Sequence, residues 1–151
     1  PGSYTGIRIG VTVAKTLSYT LNIPLKKVST LKLLSVSLFE EAKFIGSLID
    51  ARRKNVFAAL YKVNGGRLET VLEDKLYNYQ SFLAKVIELT GNKDTFLISN
   101  DKLQNENDNF RFLKDVFNPK MVKYLDFETV EEIHSFVPNY QRMTEAEMNL
   151  K

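Results

Sequence analysis

Two apolar segments, Phe44 to Ile49 and Val56 to Val63, constrain the fold of this chain more than any other feature. Segments of this length, rich in aliphatic and aromatic residues and bounded by turn-forming residues, are typical of buried strands. A polar connection, Asp50 to Asn55, joins them, and Asn64-Gly65-Gly66 then supplies the positive backbone angles of a tight hairpin. We therefore predict two strands followed by a third, antiparallel strand over Arg67 to Leu72.

Helical segments precede these strands. Ser3 is a suitable N-cap for a helix that runs to about Asn22, where Asn22 and Pro24 form a stop signal. Leu25 to Val28 predicts a short strand, and Ser29 is placed to cap a second helix from Thr30 to about Ala42. The order helix, strand, helix, strands indicates an α/β fold.

The second half of the chain has weaker patterns. Thr90-Gly91 is typical of a helix end, and the apolar run Thr95 to Ser99 is typical of a strand. The remaining predictions are a helix capped by Ser81, a polar loop over Asp101 to Asn109, a short helix over Phe110 to Phe117, a strand over Met121 to Leu125, and a helical turn from Thr129.

Composition excludes several classes of protein. The chain has 151 residues, of which 44% are hydrophobic and 26% charged, as expected for one ordinary soluble domain. It contains no cysteine and one histidine, which excludes disulfide scaffolds, thiolate metal sites, iron–sulfur clusters and histidine-rich metal sites. No segment reaches the ~18 apolar residues that span a bilayer. The net charge of +3 is mild, although a pI near 9.0 keeps nucleic-acid binding open.

The first predicted helix has two different faces. Its apolar arc is predicted to face a core, and Gly6 and Gly10 on that arc, which each cost ~1 kcal/mol relative to alanine, predict a closely packed neighbouring strand or helix. The apolar arc comprises Gly6, Ile7, Ile9, Gly10, Val13, Ala14 and Leu17. The opposite arc mixes cations, hydroxyls and aromatic rings: Tyr4, Arg8, Val11, Thr12, Lys15, Ser18 and Tyr19.

Isolated residues offer weaker indications of chemistry. His134 has no nucleophile near it in sequence, which favours a surface turn over a catalytic base. Asp50 follows an apolar strand, where ligand-facing carboxylates occur, but formation of a turn through its side chain is the favoured interpretation. Arg52-Arg53-Lys54 is the densest basic run and is compatible with phosphate contacts, although it has no interleaved aromatic residues.

Longer stretches resemble a known family. The run Gly2-Ser3-Tyr4-Thr5-Gly6-Ile7-Arg8-Ile9-Gly10, continuing through Asn22-Ile23-Pro24-Leu25 and Val28-Ser29-Thr30-Leu31, resembles the TsaB (YeaZ) family. Ile49-Asp50-Ala51-Arg52 followed by Val56 to Tyr61 is similar to a second signature of that family. Pro138-Asn139-Tyr140-Gln141-Arg142 with Glu145-Ala146-Glu147 is similar to its C-terminal end.

The resemblance implies an actin-like ATPase (ASKHA, ribonuclease H-like) fold of two α/β lobes. Residues 1–24 would then be an interface helix that links to an N-terminal lobe missing from this chain, and residues 25–151 the C-terminal lobe. The turn-like start Pro1-Gly2-Ser3 agrees with a chain that is part of something longer. The catalytic paralogue TsaD has a His-x-x-x-His metal site where this chain has Thr30 and Leu34, so no metal or other cofactor is expected.

The family resemblance also implies a function. It indicates a cytoplasmic, non-catalytic scaffold or activator subunit without catalytic residues, in the complex that adds threonylcarbamoyl to adenosine in transfer RNA. Expected partners are a TsaD-like catalytic subunit and a TsaE-like ATPase, with tRNA contacted indirectly, no membrane, and a homodimer when the protein is alone. The expected interface residues are Tyr4, Arg8, Val11, Thr12, Lys15 and Tyr19. Two alternatives remain: an ATP-binding or glycoprotease-like enzyme, and an RNA-binding module at Arg52-Arg53-Lys54.

Overall fold

A computed structural model describes residues 3–99, 101, 103, 111–113 and 118–140. These residues form two units, a terminal unit from residues up to 27 and from 127 on, and a sheet unit from residues 28–126. In chain order the elements are α1 (Tyr4–Leu21), β1 (Lys26–Lys27), α2 (Thr30–Ser35), β2 (Phe44–Asp50), β3 (Asn55–Asn64), β4 (Arg67–Asn78), α3 (Tyr79–Thr90), β5 (Thr95–Ile98), β6 (Arg111–Leu113) and β7 (Glu128–Thr129). Short 3₁₀ helices cover Val36–Leu38 and Pro119–Tyr124.

The described strands of the sheet unit lie in the order β4-β3-β2-β5-β6. The β2–β3 and β3–β4 pairs are antiparallel, whereas β2–β5 and β5–β6 are parallel. Gly65 and Gly66 join β3 to β4 with φ angles of 54° and 85°, so the predicted tight hairpin is confirmed. The third strand continues beyond the predicted Leu72 to Asn78.

Both faces of this sheet are covered by apolar side chains. Alternate residues of a strand point to opposite faces, and in β2 Ile45 belongs to one apolar cluster while Leu48 belongs to another. The first cluster contains Leu31 and Leu34 from α2, and the second contains Phe82 from α3. Two buried faces explain why β2 and β3 read as continuous apolar runs rather than as alternating ones.

The helix caps follow the sequence in two cases out of three. The Ser3 and Ser29 side chains accept backbone N–H groups at the starts of α1 and α2, as predicted. The prediction of Ser81 as a cap is wrong: α3 is capped by Asn78, whose side chain accepts the Ser81 N–H, so α3 begins at Tyr79. The α2 helix is also shorter than predicted, because the chain tightens into the 3₁₀ turn after Ser35.

Three predictions in the second half are wrong. The helix predicted over Phe110 to Phe117 contains instead β6, which continues the parallel sheet beside β5. The strand predicted over Met121 to Leu125 is a 3₁₀ helix, because Pro119 favours a helical start and Asn118 caps it. Thr129 lies in β7, and the turn follows it, with Phe136 N–H donating to Glu132 O. Residues 110 and 114–117, most of the predicted loop over Asp101 to Asn109, and the tail beyond Tyr140 lie outside the described residues.

The terminal unit is built around α1 and the β1–β7 pair. Lys26 pairs with Thr129 and Lys27 with Glu128 in an antiparallel ladder, and the Lys27 and Glu128 side chains form an exposed ion pair at 2.8 Å. The Val130 N–H donates to Leu25 O and extends this pairing. In the described part of the chain, no helix is both long and apolar enough to cross a bilayer.

Candidate protein-interaction groove

The predicted interface helix is formed as the sequence indicates. The Ser3 side chain accepts the Gly6 N–H at 3.1 Å, and Asn22 ends the helix in a left-handed conformation with φ of 52°. A left-handed asparagine is a common helix terminator because its short polar side chain tolerates that conformation. The α1 helix therefore presents 18 residues in one continuous element.

An open groove of about 530 Å³ runs along α1 in the terminal unit. Its second wall is the segment 133–140, which folds back beside the helix. We call this site the α1 groove. All six predicted interface residues line it: Tyr4, Arg8, Val11, Thr12, Lys15 and Tyr19.

Lys15 connects α1 to the segment 133–140 through two hydrogen bonds. Its Nζ donates to His134 O at 2.6 Å and to Phe136 O at 3.0 Å. Two carbonyl acceptors satisfy an ammonium group well, so Lys15 serves the terminal unit itself before it serves any partner. Sequence reasoning assigned Lys15 to an interface and missed this structural role.

Aromatic contacts flank the groove near both ends of α1. The Tyr4 ring stacks on the Tyr140 ring with centroids 5.2 Å apart, and the Tyr19 ring meets the His134 imidazole edge-on at 5.3 Å. The Arg8 guanidinium carbon lies 5.3 Å from the centroid of the Tyr4 ring, and Arg8 Nη1 donates to the Tyr4 hydroxyl at 2.7 Å. Arg8 is exposed, and this contact holds its cation at the rim of the groove.

The lining of the groove is cationic and aromatic. Its described lining combines the cations of Arg8 and Lys15 with tyrosine, valine, phenylalanine and proline side chains, and contains no carboxylate. Aromatic residues and arginine are enriched where proteins bind each other. This lining suits a partner that offers apolar side chains together with acidic ones.

The other face of α1 contradicts the sequence-based expectation. Within the described residues the apolar arc does not face a core, because Ile9, Val13 and Leu17 are 59%, 51% and 51% exposed. A Cβ added at Gly10 would meet nothing within 4 Å, so the close neighbour predicted from the glycines is also absent among the described residues. The helical periodicity of the sequence correctly identified which residues form the apolar arc. It did not show whether another surface covers them.

The wall segment 133–140 was missed as part of the site. It has no periodicity and no regular element, and its only sequence signal is the similarity of Pro138-Asn139-Tyr140 to the C-terminal end of the TsaB family. His134 lies in this segment as an exposed residue against Tyr19, as expected for a surface turn.

The positions that match the metal-binding helix of TsaD lie in α2. Leu34 is buried in the first apolar cluster, and Thr30 is exposed at the start of the helix. An aliphatic side chain cannot coordinate a metal ion, so these two positions do not fit a metal site of the TsaD kind. Among the described residues, no three histidine, aspartate or glutamate side chains are grouped closely enough to hold a metal.

A partly buried polar network joins α2 to the sheet. The Tyr61 hydroxyl donates to Asp74 Oδ1 at 2.6 Å, and the Ser29 hydroxyl donates to Asp74 Oδ2. Burial raises the pKa of Tyr61 well above its usual range, and the hydrogen bond to Asp74 raises it further. Burial also raises the pKa of Tyr77, with a contribution from Glu73. Tyr61 therefore stays protonated and acts as a donor within the core.

Comparison with known proteins places this arrangement in a family. The family model described as TsaD, tRNA N6-adenosine threonylcarbamoyltransferase, matches residues 1–147. A crystal structure described as an uncharacterized protein with similarity to peptidase YEAZ from Pseudomonas aeruginosa has the same fold, with a TM-score of 0.71 and 20% identity over 94% of this chain and 70% of that one. The class is thus a TsaD-like protein of mixed α/β fold.

Curated relatives narrow this class. The tRNA threonylcarbamoyladenosine biosynthesis protein TsaB of Bacillus subtilis is 34% identical over 97% of this chain and 68% of its own length. TsaB of Buchnera aphidicola is 36% identical over 50% of this chain and 38% of its own length. The chain belongs to the TsaB (YeaZ) family, and the resemblance found in the sequence is confirmed.

Proposed function

We propose that this chain acts in the biosynthesis of threonylcarbamoyladenosine in transfer RNA as a non-catalytic subunit that binds a TsaD-like catalytic subunit through the α1 groove. The role in this biosynthesis is supported by the names of the curated relatives. The single observation that supports the groove as the contact is that one cleft gathers the six predicted interface residues of α1.

The non-catalytic role is supported by α2. A TsaD-like metal site needs two imidazoles one helical turn apart, and this chain has Thr30 and a core-buried Leu34 at those positions. Restoring the site would require Leu34 to leave the core that it shares with Ile45 and Tyr61. The chemistry then belongs to the partner, and this chain supplies a binding surface.

The remaining proposed partners are those that the family resemblance implies. A TsaE-like ATPase joins the two subunits, the protein pairs with a second copy through the same helix when it is alone, and tRNA is reached within the assembled complex in the cytoplasm. The cationic and aromatic lining of the groove is suited to protein contacts of this kind.

We also propose that residues 1–24 link to an N-terminal lobe and that residues 25–151 form the C-terminal lobe of an actin-like ATPase fold. The lobe would cover Ile9, Val13 and Leu17, which are exposed here, and would approach the open side of Gly10. The match to 68% of the length of the Bacillus protein leaves room for such a lobe.

Charge reversal at Arg8 is the sharpest test of the interface. Lys15 is less suitable because it holds the wall segment, whereas the Arg8 side chain is exposed at the rim. Arg8→Glu in the full natural protein should weaken co-elution with the TsaD-like subunit at least tenfold, as expected at an interface hot spot. Lys26→Glu makes the same change of charge at an exposed lysine of β1 outside the groove lining, and is the matched control.

Equal binding by the Arg8→Glu variant and the wild type would reject the groove as the interface. Tight nucleotide binding by the full natural protein alone, measured by calorimetry, would favour the ATP-binding alternative instead.

A further inference from the structure

The turn between β2 and β3 holds three consecutive cationic residues in a backbone conformation that L-amino acids rarely adopt. Arg52, Arg53 and Lys54 have φ angles of 62°, 53° and 63°. In this left-handed region the Cβ of a residue other than glycine crowds its own backbone. Such conformations persist only where surrounding contacts enforce them, and they are concentrated at functional sites.

Hydrogen bonds to main-chain groups hold the turn at its start and at its end. Asp50 Oδ1 accepts the Arg52 N–H at 2.8 Å, and Asp101 Oδ2 accepts the Asp50 N–H at 2.7 Å. On the other side, Lys54 O accepts the Tyr79 N–H at 2.9 Å. The turn is therefore held by main-chain groups and two carboxylates, and its shape does not depend on the basic side chains.

The basic side chains themselves are left in solvent. Arg52, Arg53 and Lys54 are all exposed, and none of them belongs to an ion pair with a described residue. The nearby carboxylates of Asp50 and Asp101 accept backbone N–H groups rather than the guanidinium or ammonium groups. Three consecutive cationic residues are thus exposed on a fixed backbone.

The turn also lies at the edge of the sheet where α/β proteins place ligands. Asp50 ends β2 and Asp101 follows β5, and these two strands are parallel, so their carboxyl ends share one edge. The α3 helix begins at Tyr79, whose N–H donates to Lys54 O. Its first turn contains no acidic residue that would neutralise the cations of the turn.

We propose that the turn Arg52–Lys54 is a direct contact for the phosphate backbone of transfer RNA. The proposal rests on the proposed function, which provides an RNA substrate for the complex. Arginine forks and lysine ammonium groups bind phosphate oxygens, and a fixed turn loses little conformational freedom when it does so. The turn carries no aromatic side chain for base stacking, so the contact positions the RNA without reading its sequence.

The test uses the full natural protein and an unmodified transfer RNA transcript, with binding followed by fluorescence anisotropy between 50 and 250 mM KCl. The triple variant Arg52→Gln, Arg53→Gln, Lys54→Gln should bind about tenfold or more weakly at 100 mM KCl. The slope of log affinity against log salt should become less negative by about 2 to 3, since each lost phosphate contact removes ~0.7 to 0.9. A matched control removes the same charge at exposed lysines elsewhere: Lys26→Gln, Lys93→Gln, Lys120→Gln.

A loss of affinity and slope confined to the turn variant supports the proposal. An equal loss in the control shows a non-specific charge effect and overturns it, and so does unchanged binding in both variants. A turn variant that keeps RNA binding but loses binding of the TsaE-like ATPase assigns the turn to an acidic protein and also overturns it. Binding of the TsaD-like subunit is measured without RNA, so failure of the proposed function gives a separate result.

Discussion

The helices α1 and α3 differ in what they bury. Both are capped at each end by side chains or a left-handed residue, and both carry an apolar arc. The shorter α3 buries Phe82, Leu83 and Val86, whereas the one fully buried side chain among the 18 residues of α1 is Ser18. Helix formation and helix burial therefore depend on different features of this molecule.

The difference shows that caps and periodicity produce a helix whether or not its apolar face is covered. The α3 face is covered because β3 and β2 provide apolar side chains beside it in the second cluster. The described residues provide no such surface for Ile9, Val13 and Leu17, which leaves the apolar arc of α1 available to another segment or protein.

Phe82→Ala should destabilise the sheet unit strongly. Phe82 is fully buried, and its ring lies 3.7 Å from the position that a Cβ of Gly46 would occupy, so the truncation leaves a cavity above β2. The expected loss is about 3 to 5 kcal/mol in the free energy of unfolding, measured with urea. Leu89→Ala, on the exposed side of the same helix, should cost less than about 1 kcal/mol, and equal losses would contradict the assigned faces.

Tyr61→Phe should cost about 1.5 to 3 kcal/mol at neutral pH, because it removes a partly buried hydrogen bond to the Asp74 carboxylate. The pH dependence has a definite sign. The pKa of folded Tyr61 is raised above the unfolded value near 10, so above that pH the unfolded chain has released a proton that the folded chain retains.

The wild type should consequently lose stability above pH ~10, with Tyr61 contributing a slope of about 1.4 kcal/mol per pH unit. Tyr61→Phe lacks this component, so its stability should fall less steeply in urea titrations at alkaline pH. Tyr124→Phe is the control, since the Tyr124 hydroxyl donates to exposed Glu40. Parallel pH curves for the wild type and Tyr61→Phe would disprove the assignment.

Lys15→Met should loosen the wall of the α1 groove while leaving α1 helical. It removes a charged donor to two backbone carbonyls, a contact worth about 1 kcal/mol at this partly exposed site. Hydrogen exchange at the Phe136 amide, which donates to Glu132 O, should accelerate about fivefold. Lys26→Met, at an exposed lysine of β1, should leave this rate unchanged, and an unchanged rate in the Lys15 variant would argue against the bridge.

Leu17→Ala should have the smallest effect in the 151-residue chain, about 0.5 kcal/mol or less in the free energy of unfolding, because half of the side chain is exposed. The same substitution in the full natural protein should cost about 2 to 5 kcal/mol if the proposed lobe covers this face. Thermal unfolding of both proteins gives the two losses of stability caused by Leu17→Ala. A larger loss in the full natural protein would show that the apolar face of α1 is covered there. A large cost in the short chain would mean that the face is already packed.

Local signals predicted several parts of the structure. The strands β2 and β3 and their glycine hairpin follow from apolar runs and turn residues, and the Ser3 and Ser29 caps follow from side chains that bond their own backbone. The six predicted interface residues share one face of α1 because helix periodicity places them there, and that face lines the groove.

Other parts depended on contacts distant in sequence. The strand β6 exists because the edge of β5 offers it hydrogen-bonding partners, and local propensity favoured a helix there. The left-handed turn Arg52–Lys54 is enforced by Asp101 and Tyr79, residues that no local pattern connects to it. The groove wall 133–140 lies beside α1 through Lys15, across more than 100 residues of sequence.

The amino-acid sequence alone was enough to identify the segments that form α1, β2 and β3, the two faces of α1, and the resemblance to the TsaB family. These properties depend on neighbours within about one helical turn or one hairpin, and such interactions are encoded locally. Contacts between distant parts of the chain were needed to show that the mixed face of α1 lines a groove and that its apolar face stays exposed. Burial depends on which surface lies opposite, and that surface comes from distant parts of the chain.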